Sequence, residues 1–298
     1  FDNGISRDVT PWARFNSIDA SVAIVNEKTG KTEVIGFGQG AITAWYSGQF
    51  AVARITSPWP NSIADDVFNK ASVRNLIDQH VLALLRQLNL KPSPPCSDSE
   101  FIRRAYLDVI GMLPTPAETK AFLADSAKDK RDKLVDQLLA RPEFVDYWTY
   151  RWSDLFLISG KKLRPNALKA YYGWLRSEVN KNTPWDQLVR QVMTARGDSM
   201  ENGATNFYAI HQEPETMAEN VSQAFMSLSI GCAKCHNHPL EKWTNDQYYA
   251  FANLFARVRV KGWGGDARNG DGKRTLFIAP RGDLLQPRTG KPQPPAPL

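Results

Sequence analysis

The stretch SDSEFIRRAYLDVIG spans residues 97–111 and decides the fold class of this 298-residue chain. Ser97 and Glu100 form a capping box, in which each side chain satisfies a backbone N–H at the start of a helix. Gly111 can adopt the left-handed conformation that ends one. Thr115 and Glu118 repeat the capping box, with Pro116 at the first helical position, where the missing N–H costs nothing. The middle of the chain is therefore predicted to be α-helical.

Apolar spacing extends this prediction in both directions. Before residue 97, apolar residues recur at the intervals of one helix face, which predicts a helix near 73–88. The apolar residues of this face are Ile77, Val81, Leu84, Leu85 and Leu88. After residue 118, the same spacing predicts further helices around 134–139, 144–156, 171–179, 188–192 and 214–230. Thr244 and Gln247 form another capping box and predict one more helix. We assign residues 63–260 to one α-helical domain.

The first 57 residues have a different pattern. Apolar and polar residues alternate in 21–25 and again in 41–46, and turn signals stand at Thr29-Gly30 and Ser47-Gly48. These features predict short β-strands. Pro58 and Pro60 would interrupt a strand or a helix, so they mark the boundary to the next domain. The predicted fold is multidomain and mainly α, with a small β-module (1–57) before the helical domain.

Residues 261–298 are predicted to form a Gly/Pro-rich basic tail or linker. Nine basic and three acidic residues lie in 256–298, which accounts for the net charge of +6. No stripe of basic and aromatic residues accompanies this charge, so we expect a solvated tail and no nucleic-acid partner. No apolar run reaches the roughly 18 to 20 residues that a membrane helix needs, so no membrane span is predicted in this chain.

One motif carries recognisable chemistry. Cys232-Ala233-Lys234-Cys235-His236 has the C-x-x-C-H spacing of c-type haem attachment, in which two sulfurs bond to the haem and the histidine binds its iron. One helical turn between the cysteines would point both sulfurs to the same side. The sequence therefore predicts one haem c, attached through Cys232 and Cys235, with His236 as the proximal iron ligand.

Three alternative interpretations of the cysteines stay open. A zinc site needs four ligands, and the extra neighbour here is His238, two residues after His236. A thioredoxin-like redox pair needs a βαβ context, whereas the flanking segments have helical patterns. A plain structural disulfide between Cys232 and Cys235 is the third. Three cysteines cannot build a disulfide framework, and Cys96 is expected to be an unpaired thiol.

Residues 232–243, 100–108, 113–116 and 206–208 together resemble the planctomycete cytochrome-c-associated helical domain, a family of unknown function. The resemblance covers about residues 70–260. Residues 8–44 resemble, in turn, the second half of a bacterial immunoglobulin-like module. These resemblances imply a partial immunoglobulin-like β-sandwich followed by an α-helical c-type haem domain, within a larger extracytoplasmic protein. The expected location is the periplasm or the cell surface.

The ligand on the distal face of the haem decides what the iron can do. We predict His211, because its segment before the 214–230 helix is free to fold back over the ring. His80 is the alternative, although it lies on the apolar stripe of its helix. Trp243 is expected to contact the haem edge because it is close to the motif in sequence.

The predicted function is that of a mono-haem c-type cytochrome domain in electron transfer, with an unidentified redox partner protein. The alternatives are a structural or adhesive surface protein with a C-x-x-C disulfide or metal staple, and a haem enzyme or sensor with an open distal site. Whether the chain is an enzyme is left open. A missing first strand in the β-module also predicts that its edge is completed, either by residues absent from this chain or by a strand from a neighbouring chain, as in a homo-oligomer, with the proline-rich tail as a possible donor.

Overall fold

A computed structural model describes residues 6–47, 49–238, 241–262 and 272–298. The chain is mainly α-helical, with small antiparallel sheets. It divides into two compact units, of which the first comprises Phe1–Pro95 and Asn237–Lys242 and the second comprises Cys96–His236 and Trp243–Leu298. The two helices that follow the β-module therefore belong to the first unit, whereas the sequence assigned them to the helical domain.

The first unit contains the predicted β-module. Its strands are β1 (Arg14–Ser17), β2 (Ala23–Val25), β3 (Thr32–Val34), β4 (Gly38–Tyr46) and β5 (Gln49–Ser57). One antiparallel sheet has the order β1-β4-β5, and β2 pairs with β3 in a second. The strand predictions at 21–25 and 41–46 correspond to β2 and β4. The immunoglobulin-like character of this module stays a prediction.

Two helices complete the first unit, α1 (Asp65–Asn69) and α2 (Leu76–Gln87). Helix α2 begins at a capping box formed by Asn75 and Asp78, a device that the sequence analysis did not identify. Its apolar stripe is largely solvent-exposed, with Ile77 70% and Val81 48% accessible. The spacing thus identified the helix and its apolar face, but spacing does not determine whether another element covers that face.

The second unit contains the remaining helices. They are α3 (Asp98–Ile110), α4 (Pro116–Ala124), α5 (Lys130–Leu139), α6 (Pro142–Leu155), α7 (Pro165–Asn180), α8 (Trp185–Met193), α9 (Asn206–Ile210), α10 (Pro214–Met226) and α11 (Asn245–Asn253). The capping boxes predicted at Ser97, Thr115 and Thr244 are present, and Gly111 ends α3 with φ +69°. These helix starts and stops are confirmed.

Two apolar clusters stabilise the second unit. The smaller one joins α3, α4 and α5 and includes Ile102, Tyr106, Phe122 and Leu138. The larger one draws on α7, α9, α10 and α11 and includes Tyr171, Leu175, Phe207, Met217 and Tyr248. Met217 is fully buried there.

The C-terminal region is ordered, contrary to the prediction of an irregular tail. Strands β6 (Gly197–Asp198), β8 (Arg274–Ile278) and β7 (Val258–Gly262) form one sheet, and β9 (Leu285–Gln286) pairs with β10 (Lys291–Pro292). Leu276 is buried in the larger cluster, which explains why this short strand folds onto the helices. The glycine-rich stretch 263–271 lies outside the described residues.

The last residues also pack in the second unit. Ala296 donates a backbone hydrogen bond of 3.1 Å to the carbonyl of Ala250, and Leu298 contacts the larger cluster. The described strands of this region pair with one another or with β6, and completion of the edge of the β-module stays a prediction. Among the described helices, none combines the length and the apolar character needed to cross a bilayer.

Candidate functional site

The C-x-x-C segment forms a short 3₁₀-helix, Gly231–Lys234, where one turn of α-helix was expected. Cys232 lies within this helix, and Cys235 is the residue that follows it. Both cysteines are exposed free thiols. Ala233 between them is completely buried, as is nearly all of Ile230 just before them. The turn is thus anchored through Ala233 and Ile230 and leaves both thiols open to solvent.

His236 follows immediately and is also exposed. Two exposed free thiols three residues apart and an adjacent exposed imidazole are the groups that covalent haem attachment requires. The residues present therefore fit a haem c. The third cysteine, Cys96, is a free thiol of intermediate exposure.

The turn is held from behind by Asn245, the first residue of α11. Its side-chain Nδ2 donates hydrogen bonds to the carbonyls of Ala233, at 2.8 Å, and Lys234, at 2.9 Å. Asn245 is 3% exposed; its bond to Ala233 is buried, and its bond to Lys234 is partly buried. The two residues between the cysteines are therefore fixed by one buried amide.

Asn245 is held in turn by Gln286 on β9. The Nε2 of Gln286 donates hydrogen bonds to the Oδ1 atoms of Asn245 and Asp246. The Oε1 of Gln286 accepts from Thr289, at 3.0 Å, and Gln293, at 2.7 Å, and its side chain is fully buried. The sequence analysis missed both Asn245 and Gln286. The capping box at Thr244 placed Asn245 at the start of a helix but gave no sign of its partners.

Two glutamates of α10 approach the same region. Glu215 lies 3.9 Å from Lys234 Nζ, and Glu219 accepts a hydrogen bond of 2.6 Å from the hydroxyl of Tyr248. Burial, and next the hydrogen bond to Glu219, raise the pKa of the Tyr248 phenol. The pKa of Tyr249 is also raised, chiefly by burial and then by the charges of Glu215 and Cys235. The side of the motif that faces α10 and α11 is therefore acidic.

His211 lies in the larger apolar cluster and not on the exposed surface formed by the cysteines. It follows α9, and its ring is 1% exposed, with the ring of Phe207 at 5.1 Å and the Nδ2 of Asn220 3.3 Å from its Nδ1. Its Nε2 has no hydrogen-bond partner among the described residues. Burial, followed by the charge of Lys162, lowers the pKa of His211 to about 4.

The segment around His211 was expected to be a loop free to lie over a haem, and this expectation is wrong. Residues 206–210 are helical and completely buried, because their apolar side chains pack into the core. The assignment of His211 as distal ligand stays a prediction. It would require the haem iron to reach the imidazole inside the core.

The other predicted haem residues lie in different surroundings. Trp243 is 7% exposed and packs in the larger cluster, so its ring is part of the core. His80 is exposed on α2 and belongs to the first unit, whereas the motif from Cys232 to His236 belongs to the second. His238, the further ligand considered for a zinc site, is buried and belongs to the first unit.

A cavity of about 540 Å³ opens elsewhere in the second unit, between α6 and the start of α8. Its walls are mainly aromatic and include Phe144, Trp148, Trp152 and Trp185. The carboxylate of Glu178 also lines it, but Lys181, Thr183 and Gln191 all donate hydrogen bonds to that group. The cavity therefore offers no acidic group available for acid–base chemistry among its lining residues.

The chain belongs to the PSCyt2 family, whose description is a protein of unknown function (DUF1549), and the match covers residues 76–260. These residues include the C-x-x-C-H motif, α3 to α11 and Asn245. Gln286 lies beyond the matched region. No curated protein and no solved structure matches the chain.

Proposed function

We propose that this chain carries one covalently attached haem c and acts as a mono-haem electron-transfer domain. The observation that carries the proposal is the segment 231–236, in which two exposed free thiols stand three residues apart, directly before an exposed imidazole. An exposed site of this kind leaves one edge of the bound group accessible, and electron exchange with a partner protein requires such access.

Each residue of the site has a defined task. Cys232 and Cys235 each form a thioether, His236 binds the iron, and buried Ala233 holds the turn against the core. The haem supplies a one-electron couple when bound. The predicted distal ligand is His211, with His80 as the alternative. A second imidazole would favour the lower part of the potential range, whereas an open position would favour ligand binding or catalysis.

The proposed location follows from the proposed cofactor. Covalent haem c is attached outside the cytoplasmic membrane, so we place the domain in the periplasm or at the cell surface. Its redox partner is an unidentified protein, and we expect the exposed face around Cys232 and Cys235 to lie near that partner.

The test is export of the chain in cells that attach haem to C-x-x-C-H motifs, followed by intact mass measurement and an absorption spectrum. We expect the mass of one haem to be added and a Soret band to appear. Replacing Cys232 and Cys235 together by Ala should abolish both, whereas Cys96→Ala, the matched control, should leave them unchanged. A wild-type chain without added mass and without a Soret band would refute the proposal.

The same experiment separates the alternative functions. Exposed thiols three residues apart also suit a disulfide or metal staple, as in a structural or adhesive surface protein. In that case the mass would fall by two hydrogens, or one metal ion would bind per chain, and no one-electron couple would be found. A haem enzyme or sensor would show the Soret band and bind carbon monoxide or cyanide without displacing a protein ligand.

A further inference from the structure

The backbone of the C-x-x-C turn does little to fix the distance between its two thiols. The bond from Cys235 N to Cys232 O is long, at 3.4 Å, and the 3₁₀-helix contains four residues. Hydrogen bonds in 3₁₀-helices have poorer geometry than those in α-helices. Additional constraints on the turn must therefore come from outside it.

Asn245 supplies such a constraint at the two positions that matter. Its Nδ2 binds the carbonyls of Ala233 and Lys234, the residues between the cysteines. Its Oδ1 accepts from Gln286, which fixes the orientation of the amide, because a flipped amide would direct oxygen at two carbonyl oxygens. Gln286 is itself restrained by Thr289 and Gln293.

We infer that Asn245, oriented by Gln286, is the positioning residue that sets the separation of Cys232 and Cys235 for two-point attachment of the cofactor. The inference rests on the proposed function for the identity of that cofactor. Each thiol adds across one vinyl group: sulfur bonds to one vinyl carbon, the thiol hydrogen ends on the other, and the π bond is lost. The addition is balanced without an oxidant or reductant. The two additions need both sulfurs at a fixed spacing, and the amide provides it.

The first test uses the full-length chain without haem and the bifunctional thiol reagent dibromobimane, which links two neighbouring thiols. Monobromobimane reports the reactivity of single thiols on the same samples. All variants carry Cys96→Ala, so that the third free thiol is not labelled. Asn245→Asp keeps the size of the side chain but replaces the two donors by an acceptor. We expect the ratio of linked to singly labelled product to fall about fivefold for each hydrogen bond lost. Gln286→Leu should produce a smaller fall in the same direction.

Asn206→Ala is the matched control. Asn206 is also a fully buried asparagine of the second unit, and its amide donates to the carbonyls of Ser199 and Gly203, which belong neither to the turn nor to the partners of Gln286. It should destabilise the second unit but leave the labelling ratio at the wild-type value. An unchanged ratio in Asn245→Asp would overturn the inference. An equal fall in Asn206→Ala would overturn it as well, because the effect would then be general loosening of the fold.

The second test measures haem attachment by mass in the exported chain. Asn245→Asp should accumulate protein with haem bound through one cysteine and a free thiol at the other, whereas Asn206→Ala should attach haem through both. If the wild-type chain attaches no haem while the labelling ratio still depends on Asn245, the proposed function fails and the positioning of the thiols stands. If haem attaches through both cysteines equally well in Asn245→Asp, the positioning role fails and the proposed function stands.

Discussion

The hydroxyl of Tyr248 donates a hydrogen bond of 2.6 Å to Glu219 Oε1 and thereby joins α11 to α10. Tyr248 is fully buried, so its hydroxyl could not exchange this partner for water. Hydrogen bonds to charged groups are worth more than those between neutral groups. This pair therefore contributes to the packing of the two helices nearest the C-x-x-C turn.

Tyr248→Phe should lower the free energy of unfolding by about 1.5–3 kcal/mol, because it removes a charge-assisted hydrogen bond inside the core. Urea unfolding followed by circular dichroism would measure the change. Tyr249→Phe is the control, since no hydrogen bond is described for the hydroxyl of Tyr249, and it should cost much less. Equal losses in the two variants would contradict the importance assigned to the Tyr248–Glu219 bond.

Acid should destabilise the haem-free chain through His211. Burial lowers the pKa of this imidazole to about 4, against an ordinary value of 6.5, so the unfolded chain binds the proton first. The contribution of His211 to the free energy of unfolding is fully present above pH 6.5. It is lost as the pH drops towards 4, by about 3 kcal/mol in total. Urea unfolding between pH 7 and 4 would show this slope in the chain with Cys232 and Cys235 replaced by Ala. Adding His211→Phe should remove the part of this pH dependence that is due to His211. An unchanged pH dependence of the free energy of unfolding would contradict the prediction.

If His211 is the distal ligand, His211→Ala should leave haem attached through Cys232 and Cys235 but convert low-spin iron to high-spin iron, or allow added imidazole to bind. Absorption and electron paramagnetic resonance spectra would show the change. His80→Ala is the parallel variant. An unchanged low-spin spectrum in His211→Ala, with a change in His80→Ala, would transfer the role to His80.

Gly111→Ala should destabilise the second unit more than Gly290→Ala does. Both glycines have left-handed backbone conformations, with φ +69° and +66°, so both substitutions cost about 1 kcal/mol of backbone strain. At Gly111 a Cβ atom would also lie 2.3 Å from the ring of Tyr147, whereas at Gly290 it would meet nothing within 4 Å. The ring must shift, which adds about 1–3 kcal/mol. Thermal unfolding of the two variants would measure the difference, and equal destabilisation would show that the ring moves at little cost.

Local signals in the sequence predicted much of the helical architecture. The boxes at Ser97 and Thr115 and the glycine at 111 act within a few residues, so their partners are visible in the sequence itself. Strand β8 was missed because the sequence around it is rich in glycine and proline, which predicted an irregular tail. Its pairing with β6 and β7 buries it, and this pairing has no signal in the local sequence.

The site shows the same division between local and distant interactions. The spacing of Cys232, Cys235 and His236 predicted the candidate site from residues close together in the sequence, and all three are exposed. The haem assigned to them stays a prediction. The prediction for the segment before His211 failed because five consecutive residues are buried by tertiary packing. Asn245 and Gln286 are 41 residues apart, and two amides at that separation carry no recognisable pattern.

That separation has a consequence for biogenesis. A chain that emerges from a translocation channel with its N-terminus first exposes Cys232 and Cys235 well before Gln286 and Gln293 arrive. Until then the amide of Asn245 lacks the partner that orients it, and the turn is not yet in its final form. If the chain is exported and carries the proposed haem, the C-terminal strand pair would act as a completion signal, and cofactor attachment in the correct geometry would be a late, post-translocational event rather than one that accompanies chain emergence.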